Sequence, residues 1–244
     1  MGEIMKQNIT QYLMIVALVV GAYMVGVYKT KVEYLEGGAP GQVAQVAGDQ
    51  VDAPAQPEQK TELSAEEWGS IQENGVYVYG EDSAPVTIVE FTDYECPFCA
   101  RYIEDAYSDI KTNYIDTGKV RYIVRDLPLP FHANAELAAA SARCAVNDGK
   151  YEAMHDMLFA KQAVWAAEAD ATETFVSYAT GMGMNANSFR TCLTSDDVMR
   201  AVKADSALAA TVGASGTPTF FVNGTALVGA QPYAAFEAMI EAEL

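Results

Sequence analysis

The hydrophobic positions follow three different patterns along the chain. Residues 13–27 form an apolar segment without a charged side chain, and residues 37–59 show no apolar periodicity and no aromatic residue. Beyond them, short β-branched runs alternate with stretches of helical period, which is typical of a folded α/β domain. The pattern predicts a transmembrane anchor at 1–30, a flexible linker at 31–63 and a folded domain at 64–244.

The N-terminal apolar segment is long enough to cross a membrane. With its flanking residues it covers about 20 positions, which matches the ~30 Å hydrocarbon core of a bilayer. A cleaved signal peptide is the alternative, but it would have a shorter apolar region followed at once by a small-residue cleavage site. Lys29 and Lys31 follow instead, so we predict an uncleaved anchor. Two lysines follow the segment and only Lys6 precedes it, so the positive-inside rule weakly favours a folded domain on the cytoplasmic side. An external domain requires the opposite orientation.

In the folded domain, strand patterns stand at both ends and helical patterns lie between them. This order predicts one α/β sheet that is interrupted by a helical insertion at about 128–212. The individual predictions, in chain order, are a helix from Ser64, strands at 84–92 and 120–125, helices across most of 132–212, a hairpin at 219–228 with an Asn-Gly turn, and a helix at 232–243.

Composition and charge exclude some functions and leave others open. The chain has 244 residues, with 33 Asp+Glu against 15 Lys+Arg and a formal net charge of −18. Binding to nucleic acid needs a basic face, so we expect no nucleic-acid partner. Half of the residues are hydrophobic, which supports a buried core. Four cysteines are too few for a disulfide-dense scaffold but sufficient for one redox pair and one structural bridge.

The strongest chemical motif is Cys96-Pro97-Phe98-Cys99, which lies between a predicted buried strand and a predicted helix. A cysteine at a helix N-terminus is stabilised as a thiolate by the helix dipole and the free backbone N–H groups. Cys96 is therefore the expected nucleophile and Cys99 the residue that resolves the mixed disulfide. A structural disulfide or half of a zinc site is the alternative. A structural zinc site needs four ligands, usually as two close pairs, and Cys144 and Cys192 each stand without another cysteine or histidine at such a spacing in the sequence. We expect no metal and no cofactor.

A second motif lies far downstream, where Gly216-Thr217-Pro218-Thr219-Phe220 opens a strand. Together with Phe91–Cys99, it resembles the thioredoxin superfamily, and the helical stretch between the motifs resembles the DsbA-like thiol:disulfide oxidoreductases. The resemblance covers about residues 66–244 and implies a thioredoxin fold with a helical insertion. It also implies that the Thr217–Pro218 bond is cis and faces the cysteine pair.

The resemblance implies roles for further residues. Pro97, Phe98 and Thr217 are expected to contact substrate, with the Thr217 backbone pairing with an extended segment. Glu90 matches a buried acid that assists proton transfer at Cys99, and Arg121 matches a position where its basic partner can occur. The alternative for Glu90 is a half-buried strand residue paired with Arg121.

Three more expectations concern the surroundings of the motif. We expect Asp93 and Glu95 to be solvated acids of the loop. His is found at the position of Phe98 in strongly oxidising members, so this chain is expected to be a weaker oxidant. Cys144 and Cys192 are either two buried thiols or a structural disulfide, and the resemblance to membrane-anchored DsbA-like sequences favours the disulfide.

The expected function is that of a membrane-anchored, extracytoplasmic oxidoreductase that introduces disulfides into exported or unfolded proteins. A quinone-linked membrane partner of the DsbB or VKOR type is expected to reoxidise it. The first alternative is a reductase or isomerase fed by a membrane electron donor. The second is a non-enzymatic binding module or chaperone whose Cys pair is structural. A disulfide oxidant works outside the cytosol, so the N-terminus is expected inside and the domain outside.

Overall fold

The computed structural model describes residues 60–244. The predicted anchor at 1–30 and residues 31–59 of the predicted linker lie outside the described residues. Within residues 60–244, no helix combines the length and apolar character that a membrane span requires. This part of the chain forms an α/β domain around a five-stranded mixed sheet. Its strands are β1 (Tyr77–Tyr79), β2 (Val86–Thr92), β3 (Val120–Asp126), β4 (Thr219–Val222) and β5 (Thr225–Val228).

The helices account for most of the remaining residues. Two five-residue π-helical stretches, Ile103–Tyr107 and Lys111–Ile115, interrupt the helical segment that follows β2. The α-helices are α1 (Ala65–Gln72), α2 (Pro97–Tyr102), α3 (Ser108–Ile110), α4 (Ala135–Val146), α5 (Tyr151–Ala160), α6 (Gln162–Trp165), α7 (Thr172–Gly181), α8 (Ala186–Leu193), α9 (Asp196–Thr211) and α10 (Tyr233–Glu243).

The sheet has the order β1-β3-β2-β4-β5, with β2 at its centre. Strand β2 is parallel to β3 and antiparallel to β4, and β1 and β5 are antiparallel edge strands. Side chains of β2 alternate between two apolar clusters, one that contains Ile88 and one that contains Val89 and Phe91. Both faces of the strand are therefore covered, which explains its nearly continuous apolar sequence.

The C-terminal hairpin has the turn that its sequence predicts. Asn223 and Gly224 both have positive φ angles, 45° and 91°, as a two-residue turn of this type requires. Residues 61–63, however, do not belong to a free linker. Leu63 is buried, and its N–H donates to the Gly224 carbonyl, while Glu62 pairs with Thr225 of β5. The predicted linker boundary at residue 63 is therefore too late, because the edge of β5 takes up this segment.

The helical insertion consists of α4 to α9 and lies in the chain between β3 and β4. A buried cluster of charges ties it to the sheet: Arg143 of α4 binds Asp126 of β3 at 2.5 Å and Asp205 of α9 at 2.6 Å. Arg125 of β3 also pairs with Asp205 and donates to the Ile71 carbonyl of α1. Each arginine of this buried cluster has an aspartate as its partner, and the cluster joins the sheet to the helical insertion.

Candidate active site

The cysteine pair lies where the central strand β2 passes into α2. Cys96 is the N-cap residue of α2, with extended backbone angles, and Pro97 opens the helix. Proline is favoured at this first helical position because its missing N–H would have no partner there. Both cysteines are free thiols and both are buried, Cys96 with 3% and Cys99 with 0% of its surface exposed.

The pKa values of the two thiols are shifted in opposite directions. A hydrogen bond from the Cys99 thiol is the largest cause that lowers the pKa of Cys96 to about 6, and the backbone N–H groups of Cys99 and Phe98 add to it. Burial is the largest cause that raises the pKa of Cys99 well above its ordinary value, and the charges of Cys96 and Glu90 raise it further. At neutral pH Cys96 is thus a thiolate, and Cys99 keeps its proton.

The two predicted motifs meet at the cysteine pair. The Thr217–Pro218 peptide bond is cis, and the Cys96 thiol lies 3.4 Å from the carbonyl oxygen of Thr217. Phe98 is 53% exposed between the two buried cysteines, and the guanidinium of Arg101 lies 5.1 Å from its ring centroid. The exposed ring of Phe98 therefore lies at the surface between the two buried cysteines.

Glu90 lies in β2 and is completely buried. Its Oε2 atom accepts a hydrogen bond from the Tyr122 hydroxyl at 2.7 Å. Burial is the largest cause that raises its pKa. The expected pairing with Arg121 is wrong, because Arg121 and Tyr122 point to opposite faces of β3. Arg121 forms its ion pair with the exposed Asp82.

Asp93 is not a solvated acid, as the sequence predicted, but a buried anchor for two loops. One carboxylate oxygen accepts the Glu95 N–H at 2.8 Å. The other accepts the Leu129 N–H at 2.8 Å and lies 2.7 Å from Nδ1 of His132. Asp93 thereby joins the turn that carries Cys96 to the loop that carries Phe131, whose side chain is 75% exposed.

Glu95 and Gln162 complete the support of the cysteine turn. Glu95 is only partly exposed and accepts the N–H of Asn134 at 2.7 Å, so the prediction of a solvated side chain is wrong here too. The Gln162 side-chain amide donates to the carbonyls of Tyr94 at 2.7 Å and Cys96 at 3.0 Å. Sequence reasoning missed Gln162, because a single glutamine in a helical region gives no signal of so distant a contact.

The other two cysteines are joined to each other. Cys144 of α4 and Cys192 of α8 form a disulfide with a Cα–Cα distance of 5.9 Å, across a separation of 48 residues. The bond lies within the helical insertion, apart from the free thiols Cys96 and Cys99.

Comparison with known proteins identifies the family. A family model described as Thioredoxin matches residues 72–242. The chain belongs to the thioredoxin family. Among solved structures, this thioredoxin-family chain resembles BdbD from Bacillus subtilis, with 28% identity, a TM-score of 0.62, and coverage of 68% of this chain and 91% of that one. Wolbachia pipientis α-DsbA1 has 22% identity and a TM-score of 0.62, with coverage of 70% and 90%, and supports the fold.

Curated relatives of this thioredoxin-family chain carry two kinds of name. A Rickettsia conorii protein, named for protein-disulfide oxidoreduction, is 28% identical over 180 residues, which cover 72% of this chain and 64% of that protein. The Na(+)/H(+) antiporter NhaA of Herminiimonas arsenicoxydans is 32% identical over 166 residues, 68% of this chain. This chain spans only 25% of that antiporter, so the match does not bring ion transport to it.

Proposed function

We propose that this thioredoxin-family protein is a thiol:disulfide oxidoreductase of the DsbA type that introduces disulfide bonds into exported proteins. The observation that carries the proposal is the inequality of the two thiols at the start of α2. A pKa of about 6 makes Cys96 a good leaving group and stabilises the reduced protein. A stable dithiol form is the property of an oxidant, since electrons then flow from the substrate to the protein.

The reaction starts from a disulfide between Cys96 and Cys99. A substrate thiolate attacks Sγ of Cys96, the Cys96–Cys99 bond breaks, and Cys99 leaves with the electron pair and takes up a proton. A second substrate thiolate then attacks the substrate sulfur of the mixed disulfide, and Cys96 leaves as a thiolate. The substrate has lost two electrons and gained a disulfide, and the protein holds both electrons as a dithiol.

In this proposal Glu90 exchanges the proton with Cys99, and Pro97, Phe98 and Thr217 contact the substrate. Glu90 is buried, and its charge acts on Cys99. A carboxyl group whose pKa is raised by burial is suited to exchange protons near neutral pH. The exposed ring of Phe98 and the Thr217 carbonyl next to Cys96 support a contact with an extended, unfolded client.

The proposal places the domain outside the cytosol, held by residues 1–30. The Cys144–Cys192 disulfide supports this location, because such bonds persist in oxidising compartments. A tether raises the effective concentration of the domain at a membrane partner. That partner is a quinone-linked reoxidase of the DsbB or VKOR type, which would accept the two electrons and restore the Cys96–Cys99 disulfide.

The test is the equilibrium reduction potential of Cys96/Cys99 in the full chain, measured against a glutathione buffer. A value above about −180 mV supports the oxidase, since it lies on the oxidising side of protein disulfide isomerase. A value near about −270 mV contradicts it and identifies a reductant. Cys96→Ala, assayed in parallel for oxidation of a reduced client, must lose activity; a variant that keeps it would indicate a non-enzymatic binding module.

A further inference from the structure

Two buried hydroxyl groups form a chain that ends on Glu90. The Tyr122 hydroxyl donates to Oε2 of Glu90 at 2.7 Å and lies 2.8 Å from the Tyr102 hydroxyl. A phenol carries a single proton, so Tyr122 can donate to Glu90 only if Tyr102 donates to Tyr122. All three side chains are fully buried, so the chain runs inside the protein.

Within residues 60–244, no lysine or arginine shares this buried site, and His155 is the basic side chain whose charge lowers the pKa of Glu90. Among the described residues, no lysine or arginine forms an ion pair with Glu90, and Arg121 pairs at the surface instead. The hydroxyl chain is therefore the main stabiliser of the carboxylate form. The titratable groups that act on Glu90 or feel its charge are Cys99 and Tyr102 of α2, Tyr107 of the first π stretch, Tyr122 of β3, His155 of α5 and Tyr94 before the cysteine pair.

The second oxygen of Glu90 is left open. Neither Oε1 of Glu90 nor Oγ1 of the neighbouring Thr92 has a hydrogen-bond partner among residues 60–244. A buried carboxylate oxygen without a partner is costly and calls for an explanation, and a catalytic role is one such explanation. The two oxygens of Glu90 thus have different environments, one fixed by Tyr122 and one free.

We propose that Tyr122, supported by Tyr102, is a positioning residue that keeps Glu90 ionisable and turns its free oxygen into the proton acceptor of Cys99. The proposal rests on the proposed function, because it gives Glu90 the proton of the resolving thiol. When Cys99 attacks a mixed disulfide at Cys96, its S–H bond breaks and the proton passes to Glu90. The Cys96–Cys99 bond forms, and the outgoing sulfur leaves as a thiolate with the electron pair.

The hydroxyl groups of Tyr122 and Tyr102 both favour the ionised form of Glu90. A hydrogen bond to a carboxylate in a low-dielectric interior favours its charged form, and a second donor behind the first polarises and strengthens it. Without the Tyr122 hydroxyl, Glu90 would hold its proton to higher pH and would accept the Cys99 proton less readily. Without the Tyr102 hydroxyl, the same change would occur to a smaller extent.

The experiment separates the two thiols in time. Full-length protein with Cys96 and Cys99 reduced is mixed with equimolar 5,5′-dithiobis(2-nitrobenzoate) across a range of pH. Attack by Cys96 releases the first thionitrobenzoate, and resolution by Cys99 releases the second. For Tyr122→Phe we expect the first phase to be unchanged, the second to slow about tenfold at neutral pH, and its pH midpoint to rise by about one unit.

Matched variants complete the design. Tyr102→Phe should show a smaller shift of the second phase in the same direction, and it tests the chain even if Tyr122→Phe fails to fold. Tyr151→Phe is the control, since it also loses a buried hydroxyl bond, to Tyr94 at 3.0 Å, but one that does not end on Glu90. Glu90→Gln should slow the second phase and remove its midpoint.

The outcomes distinguish this inference from the function on which it rests. If Glu90→Gln slows the second phase while Tyr122→Phe and Tyr102→Phe match Tyr151→Phe, the hydroxyl chain has no such role and the inference fails alone. If the wild-type protein shows no second phase, Cys99 does not resolve mixed disulfides, and the proposed function fails as well.

Discussion

The Cys96 sulfur lies 3.4 Å from the backbone carbonyl oxygen of Thr217, to which its protonated form donates, across a separation of 121 residues. The contact joins the N-terminus of α2 to the start of β4. A Cys96 thiolate, or a Cys96 that is bonded to another sulfur, has no proton to donate, so in both forms the carbonyl is free to accept an N–H group from a substrate backbone. The carbonyl that is proposed to bind the substrate backbone therefore lies next to the nucleophile, and it loses its hydrogen bond to Cys96 when that residue is ionised or oxidised.

The first prediction concerns the reactivity of Cys96 as a function of pH. Only the thiolate is alkylated, so the rate of iodoacetamide modification of the reduced protein should rise with pH and reach half of its maximum at about pH 6. Cys99→Ala removes the thiol that donates to Cys96 and should raise that midpoint. A midpoint near the ordinary cysteine value of about 8.5 in the wild-type protein would contradict the environment described for Cys96.

The second prediction concerns the trapping of a substrate on Cys96. In Cys99→Ser the resolving sulfur is absent, so a reduced client mixed with the variant and oxidised glutathione, which takes up the two electrons, should accumulate as a covalent complex. Non-reducing electrophoresis followed by mass spectrometry should place the bond at Cys96. The reciprocal variant Cys96→Ser is the control and should form no complex, because Cys99 is buried and its raised pKa keeps it protonated.

Much of the fold follows from short-range pattern. The Asn223-Gly224 turn sets the register of its hairpin by itself, and the β-branched, mostly apolar run before Cys96 has the composition of a buried strand. Local chemistry likewise predicts that Cys96 lies at a helix N-terminus. These features depend on neighbours within a few residues, and the sequence contains that information.

The errors concern contacts between distant segments. Asp93 reads as a loop acid, yet it is buried, because Leu129 and His132 approach it from a loop more than thirty residues away. The resemblance pairs Arg121 with Glu90, whereas strand alternation directs the next residue, Tyr122, to that carboxylate. A single sequence gives the face of a strand but not the partners that another element brings to it.

The third prediction concerns the exposed ring of Phe98. Phe98→Ser removes apolar surface beside Cys96, so it should raise KM for an unfolded protein substrate several-fold. The rate with a small disulfide such as oxidised glutathione should remain near the wild-type value. Because the side chain is 53% exposed, the free energy of unfolding should change by no more than about 0.5 kcal/mol.

Val164→Ser is the matched control, since Val164 is 58% exposed. Equal losses with both substrates would contradict a role in client binding.

The fourth prediction concerns the disulfide of the insertion. Cys144 and Cys192 are 48 residues apart, so in the chain-entropy model replacement of both by alanine should lower the free energy of unfolding by about 4 kcal/mol. Urea titration measures the loss. Thiol exchange by Cys96 in the folded variant should be unchanged, because the bond is separate from the reactive pair. Slower exchange at a urea concentration where the variant is fully folded would contradict that separation.

The fifth prediction concerns Asp126, whose pKa burial raises to about 7 in the folded protein. In the unfolded chain the group titrates near about 3.9, so the folded state binds the proton more tightly. Its contribution to stability is therefore complete below about pH 4 and is lost as the pH rises through about 7.

Asp126→Asn keeps the shape of the side chain and removes the titration. Relative to wild type, the variant should lack a slope of up to about 1.4 kcal/mol per pH unit in the free energy of unfolding between pH 4 and 7. Urea titrations at several pH values measure the slope, with the exposed Asp148→Asn as the control. Parallel curves for Asp126→Asn and wild type would mean that Arg143, at 2.5 Å, keeps Asp126 ionised despite its burial. The cluster between sheet and insertion would then be a permanent ion network instead of one that takes up a proton near neutral pH.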